Sequence, residues 1–168
     1  MIHVCSLARL PATIEATRAQ YVITMLKQFA LVPQPLNIPA GNHLHVSVDD
    51  IAEPIEGHIH PGDEHVTRLL DFVTQWEGAS PLVIHCYAGI SRSTAAAFIA
   101  ACAVRPERDE ASIANAIREA SPTASPNRLL VTLADKQLGR DGRMIAALDR
   151  IGPGILATEG VPFRLDLT

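Results

Sequence analysis

An α/β fold, a central mostly parallel sheet flanked by helices on both faces, is what this sequence predicts. Three observations carry that expectation. Short apolar runs of strand character alternate with longer stretches of helical spacing, the pattern of parallel crossover units. The apolar run Leu82–Ile84 passes through one loop into the Ala-rich run Thr94–Val104, a buried strand followed at once by a helix. The chain has 168 residues, 48% of them hydrophobic, which is enough for one substantial core.

Taken in order, Ile2–Leu7 reads as a first strand. Thr13 is positioned to cap a helix running to about Ala30, with Ile14, Tyr21, Val22, Met25, Leu26 and Phe29 on its apolar side. Pro33, Pro35 and Pro39 break any helix beyond it. Leu44–Val48 alternates as a short strand, and 49–62 is a loop with two prolines and two glycines. Asp63 can cap a helix over 64–77, where Val66, Leu69, Leu70, Val73 and Trp76 hold helical spacing. Leu82–His85 is the next strand. Asp109 caps a helix to Ala120, ended by Pro122. Ser125 and Pro126 open another, closed by Gly139. Met144–Ile151 forms a last helix, and Val161–Leu167 is an extended tail with no evident place. The expected organisation is a single domain over 1–168, its core at about 1–139, with the helix and tail at 140–168 added to it.

Composition narrows the function. Fourteen basic residues stand against eighteen acidic ones, for a net charge of −4, with no basic patch. Nucleic-acid and membrane partners are therefore not expected. No apolar stretch is long enough to span a bilayer and no signal-peptide pattern opens the chain, so a cytoplasmic location is the expectation. Three cysteines without clustered spacing argue against a disulfide framework or a zinc site.

Residues 85–94 read His-Cys-Tyr-Ala-Gly-Ile-Ser-Arg-Ser-Thr. Cys86 and Arg92 have five residues between them, at a strand end followed by a helix start. Amides at a helix N-terminus are unpaired and carry partial positive charge, which suits a phosphate. Gly89 lets the loop curl, and Arg92 offers a planar fork of donors. Arginine at a helix start opposes the dipole, a local cost that a bound anion removes. Positive surroundings favour the thiolate, which is the nucleophilic form of cysteine. In open parallel sheets ligands bind beyond the carboxyl ends of strands, where this loop lies.

This segment resembles, at every defining position, the His-Cys-x5-Arg-Ser/Thr signature of the cysteine-dependent protein tyrosine phosphatase superfamily. The likeness to its dual-specificity branch covers roughly residues 44–138 and is strongest in the loop. It implies a phosphotyrosine phosphatase, with phosphoserine and phosphothreonine as further substrates, acting on phosphorylated proteins or peptides without a metal or cofactor. It further implies that Cys86 attacks phosphorus and that Arg92 holds the phosphate with Tyr87, Ala88, Gly89, Ile90 and Ser91. Ser93 would donate to the sulfur, and His85 would orient the loop. An aspartic acid upstream would protonate the leaving oxygen. Asp50 is favoured and Asp49 is the alternative, because a one-residue slip reverses side-chain direction. Glu53 and Glu56 are weaker candidates. The gap from either Asp to Cys86 is slightly longer than smaller members show.

Two other readings stand beside this one: a phosphate-binding pseudo-phosphatase without turnover, and a rhodanese-like sulfurtransferase. Intact Cys86, Arg92 and Ser93 oppose the first; the acid and the hydroxyl after Arg92 oppose the second. His58, His60, His65 and Asp63 form a His-rich stretch that reads as surface loop rather than metal site. Cys5 and Cys102 read as core residues, although some relatives bridge a second cysteine to the nucleophile, a role Cys5 could take. The sequence leaves the oligomeric state open.

Overall fold

The computed structural model describes residues 1–27 and 37–167. Five strands form one sheet: β1 (Ile2–Ser6), β2 (Tyr21–Met25), β3 (His43–Val46), β4 (Leu82–Cys86) and β5 (Phe163–Leu165). Their order across the sheet is β3-β2-β4-β1-β5. All pairs are parallel except β1 with β5. Among the described residues six α-helices accompany them: α1 (Leu10–Thr17), α2 (Asp63–Trp76), α3 (Arg92–Val104), α4 (Glu110–Ala120), α5 (Arg128–Gln137) and α6 (Arg143–Ile151).

The expected architecture is present, with very unequal faces. From β1 to β2 the chain crosses β4 in one direction; from β3 to β4 it crosses β2 in the other. Right-handed crossovers then put α1 and α2 on opposite faces. Alternation along the strands serves both. Ile2, Val4, Ile23, Met25, Leu82, Ile84 and Cys86 face the large layer that includes α2 to α6. Cys5, Val22 and Val83 face the small layer with Leu10 of α1. Helix α3 is buried from Ser93 to Cys102. Its five buried alanines let the sheet, α2, α4 and α5 all approach it closely, and a helix apolar all round belongs inside a protein.

The expected helix from Thr13 to Ala30 is not formed. Helix α1 starts earlier, with Pro11 in its first turn, and stops at Arg18, which turns left-handed (φ 52°). Tyr21–Met25 is instead the sheet strand β2. Four of its five residues are aromatic or β-branched, which suits a pleated surface. Their helical spacing was equally compatible with a strand buried on both faces. Phe29, Ala30, Pro33 and Pro35 lie outside the described residues.

Smaller shifts follow from local bonding. Asp63 does not cap α2 but is its first residue; Gly62 is the cap, and its N–H donates to His65 Nδ1 at 3.0 Å. Helix α3 begins at Arg92 rather than Thr94. Helix α5 begins after Asn127, whose side chain accepts from the Leu130 N–H at 3.1 Å, and not at Ser125. The third strand spans His43–Val46, shorter than expected at its far end. The tail finds a place at the sheet edge as β5, where Phe163 and Leu165 enter the main core. Among the described residues no helix is long and apolar enough to cross a membrane.

Candidate active site

Strand β4, buried throughout, ends on Cys86, and α3 starts on Arg92. The loop between them is held from outside through its carbonyls. Tyr87 O accepts from Leu7 N–H (3.2 Å), Ala88 O from Gly160 N–H (2.8 Å), Ile90 O from Ser125 N–H (2.9 Å), and Ser91 O from Asn127 N–H (3.2 Å). In a trans peptide the C=O and the following N–H point opposite ways. Outward carbonyls therefore turn the amides of Ala88, Gly89, Ser91 and Arg92 inward, toward the hollow around the sulfur. The Gly89 N–H shows it, donating to Cys86 Sγ at 3.2 Å. The Ser93 hydroxyl lies 3.1 Å from the same sulfur.

Gly89 is required twice over. Its φ is +74°, and a Cβ there would sit 2.8 Å from Cys5 C and Ser6 N of the neighbouring strand. Gly160 is packed as tightly against the loop, since its Cβ would lie 2.8 Å from Gly89 O. Gly160→Ala is expected to cost about 1–3 kcal/mol by overpacking, a fall in Tm of roughly 2–10 °C. It should also weaken phosphate binding by displacing the loop. Thermal melting with and without inorganic phosphate checks both effects.

One guanidinium nitrogen of Arg92 donates to Val48 O at 3.0 Å, while its Nε is buried with no partner among the described residues. A buried, unspent donor is what an oxyanion would take up. Asp50 lies against the loop: its Oδ1 accepts from Ser91 Oγ at 2.6 Å and from Asn127 Nδ2 at 2.9 Å. Asp49 points elsewhere. Its Oδ2 accepts from the Ile59 N–H at 2.7 Å and pairs with Lys27 (3.3 Å) and His58 (3.4 Å). Desolvation pushes the Asp49 carboxyl up, but the Ile59 N–H, Lys27 and His58 outweigh it and hold its pKa below the ordinary value.

His85 lies under the loop on the α1 face, wholly buried. Its Nε2 is 2.7 Å from Thr24 Oγ1, which is 2.8 Å from His43 Nε2. Burial first, then His43, lowers the pKa of His85 to about 4. The ring is thus neutral near pH 7, and what it contributes there is orientation rather than charge. Folded His85 resists protonation more than unfolded His85, whose value is 6.5. Its share of stability is therefore present above about pH 6.5 and lost as pH falls toward 4. By linkage the protein should be about 2 kcal/mol less stable at pH 5 than at pH 7 from this group. Urea unfolding at the two pH values measures the loss, and His85→Gln should remove that part of the slope.

Of the remaining candidates, two histidines have partners of their own. His58 pairs with Asp49, and His65 caps α2. Among the described residues no three histidines, cysteines or carboxylates converge as metal ligands. Cys5 shares the small layer with Val22 and Val83, across the sheet from Cys86. Burial raises the Cys5 thiol to about 11 and the Cys102 thiol to about 12. Asn127, Thr24 and Gly160 escaped the sequence reading. An Asn before a helical run signals a cap, but nothing local says that its amide reaches Asp50.

The protein-tyrosine phosphatase family model matches residues 56–123, a span that includes the loop. Among curated proteins no sequence match is found. Solved structures share the fold at low identity. The PTP-2 phosphatase of Cydia pomonella aligns with a TM-score of 0.62 at 19% identity, covering 80% of this chain and 84% of that one. Human DUSP28 gives 0.62 at 18%, covering 83% and 92%, and DUSP15 gives 0.60 at 19%, covering 90% and 92%. The signature loop is thus seated between β4 and α3, inside the span that matches the protein-tyrosine phosphatase family model, and the chain shares its fold with dual-specificity phosphatases.

Proposed function

We propose that this protein is a phosphoprotein phosphatase that hydrolyses phosphotyrosine, and phosphoserine and phosphothreonine as well, through a phosphocysteine intermediate. The observation that carries the reading is the pair of groups on one sulfur, the Gly89 N–H that donates to it and the Ser93 hydroxyl within donating distance at 3.1 Å, inside a loop whose carbonyls are tied outward. Those donors stabilise a thiolate, and the inward amides with Arg92 complete an oxyanion cradle.

In the first step the Cys86 thiolate forms an S–P bond as the ester P–O bond breaks. Asp50 gives its proton to the departing phenol or alcohol. In the second step water attacks phosphorus and loses a proton to Asp50. The S–P bond breaks, inorganic phosphate leaves, and the Ser93 hydroxyl stabilises the returning thiolate. Arg92 and the loop amides follow the charge on the three equatorial oxygens through both transition states. Asp50 is preferred to Asp49 as acid because it lies at the loop. Asp49, held ionised by Lys27 and His58, is poorly suited to deliver a proton.

The test is hydrolysis of para-nitrophenyl phosphate from pH 5 to 8 with chelator present. Turnover that survives chelator is expected, and loss of turnover to chelator overturns the metal-free mechanism. The reading as a binding module has one observation in its favour, the two hydrogen bonds that hold Asp50 against Ser91 and Asn127. Phosphate binding without any turnover would select it.

A further inference from the structure

Beside the phosphate loop lies a recess of about 380 Å³, bounded by Leu7, Ala8, Tyr87, Ala88, Thr158 and Glu159. It shares Tyr87 and Ala88 with the loop, so it borders the residues that would hold the phosphate. Its walls are fastened to the loop backbone: Leu7 N–H to Tyr87 O on one side, Gly160 N–H to Ala88 O on the other. The recess is thus built together with the phosphate cradle.

Its chemistry is that of a site for a long cationic side chain. Leu7, Ala8 and Ala88 offer apolar contact for an aliphatic stem. Tyr87, 66% exposed, offers a ring face at the rim. Glu159 supplies the charge. The buried Ser6 hydroxyl donates to Glu159 Oε1 at 2.5 Å and so fixes the carboxylate in place. Arg9 stands 3.7 Å from the same oxygen, beyond hydrogen-bond distance and largely exposed, a pairing that holds little energy against a competitor. The acidic balance of the whole chain, −4, favours the same sign of ligand.

We propose that this recess is a specificity subsite that takes a lysine or arginine next to the phosphorylated residue of the substrate, with Glu159 as its selectivity residue. The proposal rests on the phosphoprotein-phosphatase reading above. It also gives residues 152–160 a role: between α6 and β5 they carry one wall of the substrate cleft.

The experiment compares phosphotyrosine peptides carrying Arg, Ala or Glu immediately beside the phosphotyrosine, with wild type and Glu159→Gln. The amide keeps an oxygen for Ser6 and loses only the charge. Wild type should prefer Arg to Ala by about 5- to 10-fold in kcat/KM, and disfavour Glu, with the preference shrinking in high salt. Glu159→Gln should bring the three peptides within about 2-fold while para-nitrophenyl phosphate turnover is unchanged. Equal rates for the three peptides in wild type, or an Arg preference that survives Glu159→Gln, would overturn the subsite. If para-nitrophenyl phosphate is not hydrolysed, it is the enzymatic reading that fails. The same peptides are then compared by fluorescence anisotropy, where an Arg preference dependent on Glu159 supports the recess and its absence refutes it.

Discussion

Cys86→Ser is expected to abolish turnover while leaving phosphate binding in place. The loop is shaped by its outward carbonyl tethers and by the positive φ and tight packing of Gly89, none of which depends on the sulfur, so the cradle should survive the exchange. A serine hydroxyl in the same place is not ionised near neutrality, and no base stands ready in the proposed mechanism to activate it. The fall in kcat should be about 10³-fold or more, the scale on which loss of a covalent nucleophile is felt. Bound phosphate should still raise Tm as its concentration rises. Arg92→Ala supplies the contrast. It removes the buried Nε donor and the link to Val48, so phosphate should cease to stabilise the protein at all. Appreciable activity in Cys86→Ser would sink the covalent mechanism.

Asp50→Asn carries the second large effect, and it depends on the substrate. Asparagine keeps an oxygen to accept from Ser91 and Asn127, so the loop geometry is retained while the proton is lost. A poor leaving group such as tyrosine needs that proton, and a positioned general acid is worth about 10²- to 10⁴-fold. An activated phenol with a low pKa leaves unaided and should be slowed far less. A plot of rate against leaving-group pKa should therefore steepen in Asp50→Asn. Asp49→Asn should instead lower all substrates by a similar, smaller factor. It weakens the pairing with Lys27 and His58 that closes residues 49–59 on themselves through Ile59. If the steepening appears in Asp49→Asn and not in Asp50→Asn, the assignment of the acid is reversed.

The sequence by itself determined what short-range geometry can encode. The spacing Cys86-x5-Arg92 between a buried strand and an alanine-rich helix needs only the local chain to curl, and Gly89 is written where the curl demands positive φ. The alternation of strands and helices was enough for the layered architecture. Tertiary structure decided whatever depends on distant partners. Tyr21–Met25 carries helical spacing and strand propensity together, and only burial on both faces of the sheet makes it β2. Asp49 and Asp50 are neighbours in the chain, and what separates them is Lys27 and His58 on one side and Ser91 and Asn127 on the other. The tail shows no periodicity, yet its edge pairing with β1 brings Gly160 and Glu159 against the phosphate loop. The physical reason is common to all three. Caps, turns and periodicity are set by bonds a few residues long, whereas the choice between two compatible local conformations, and the partner of a carboxylate, is made by contacts between segments far apart in sequence.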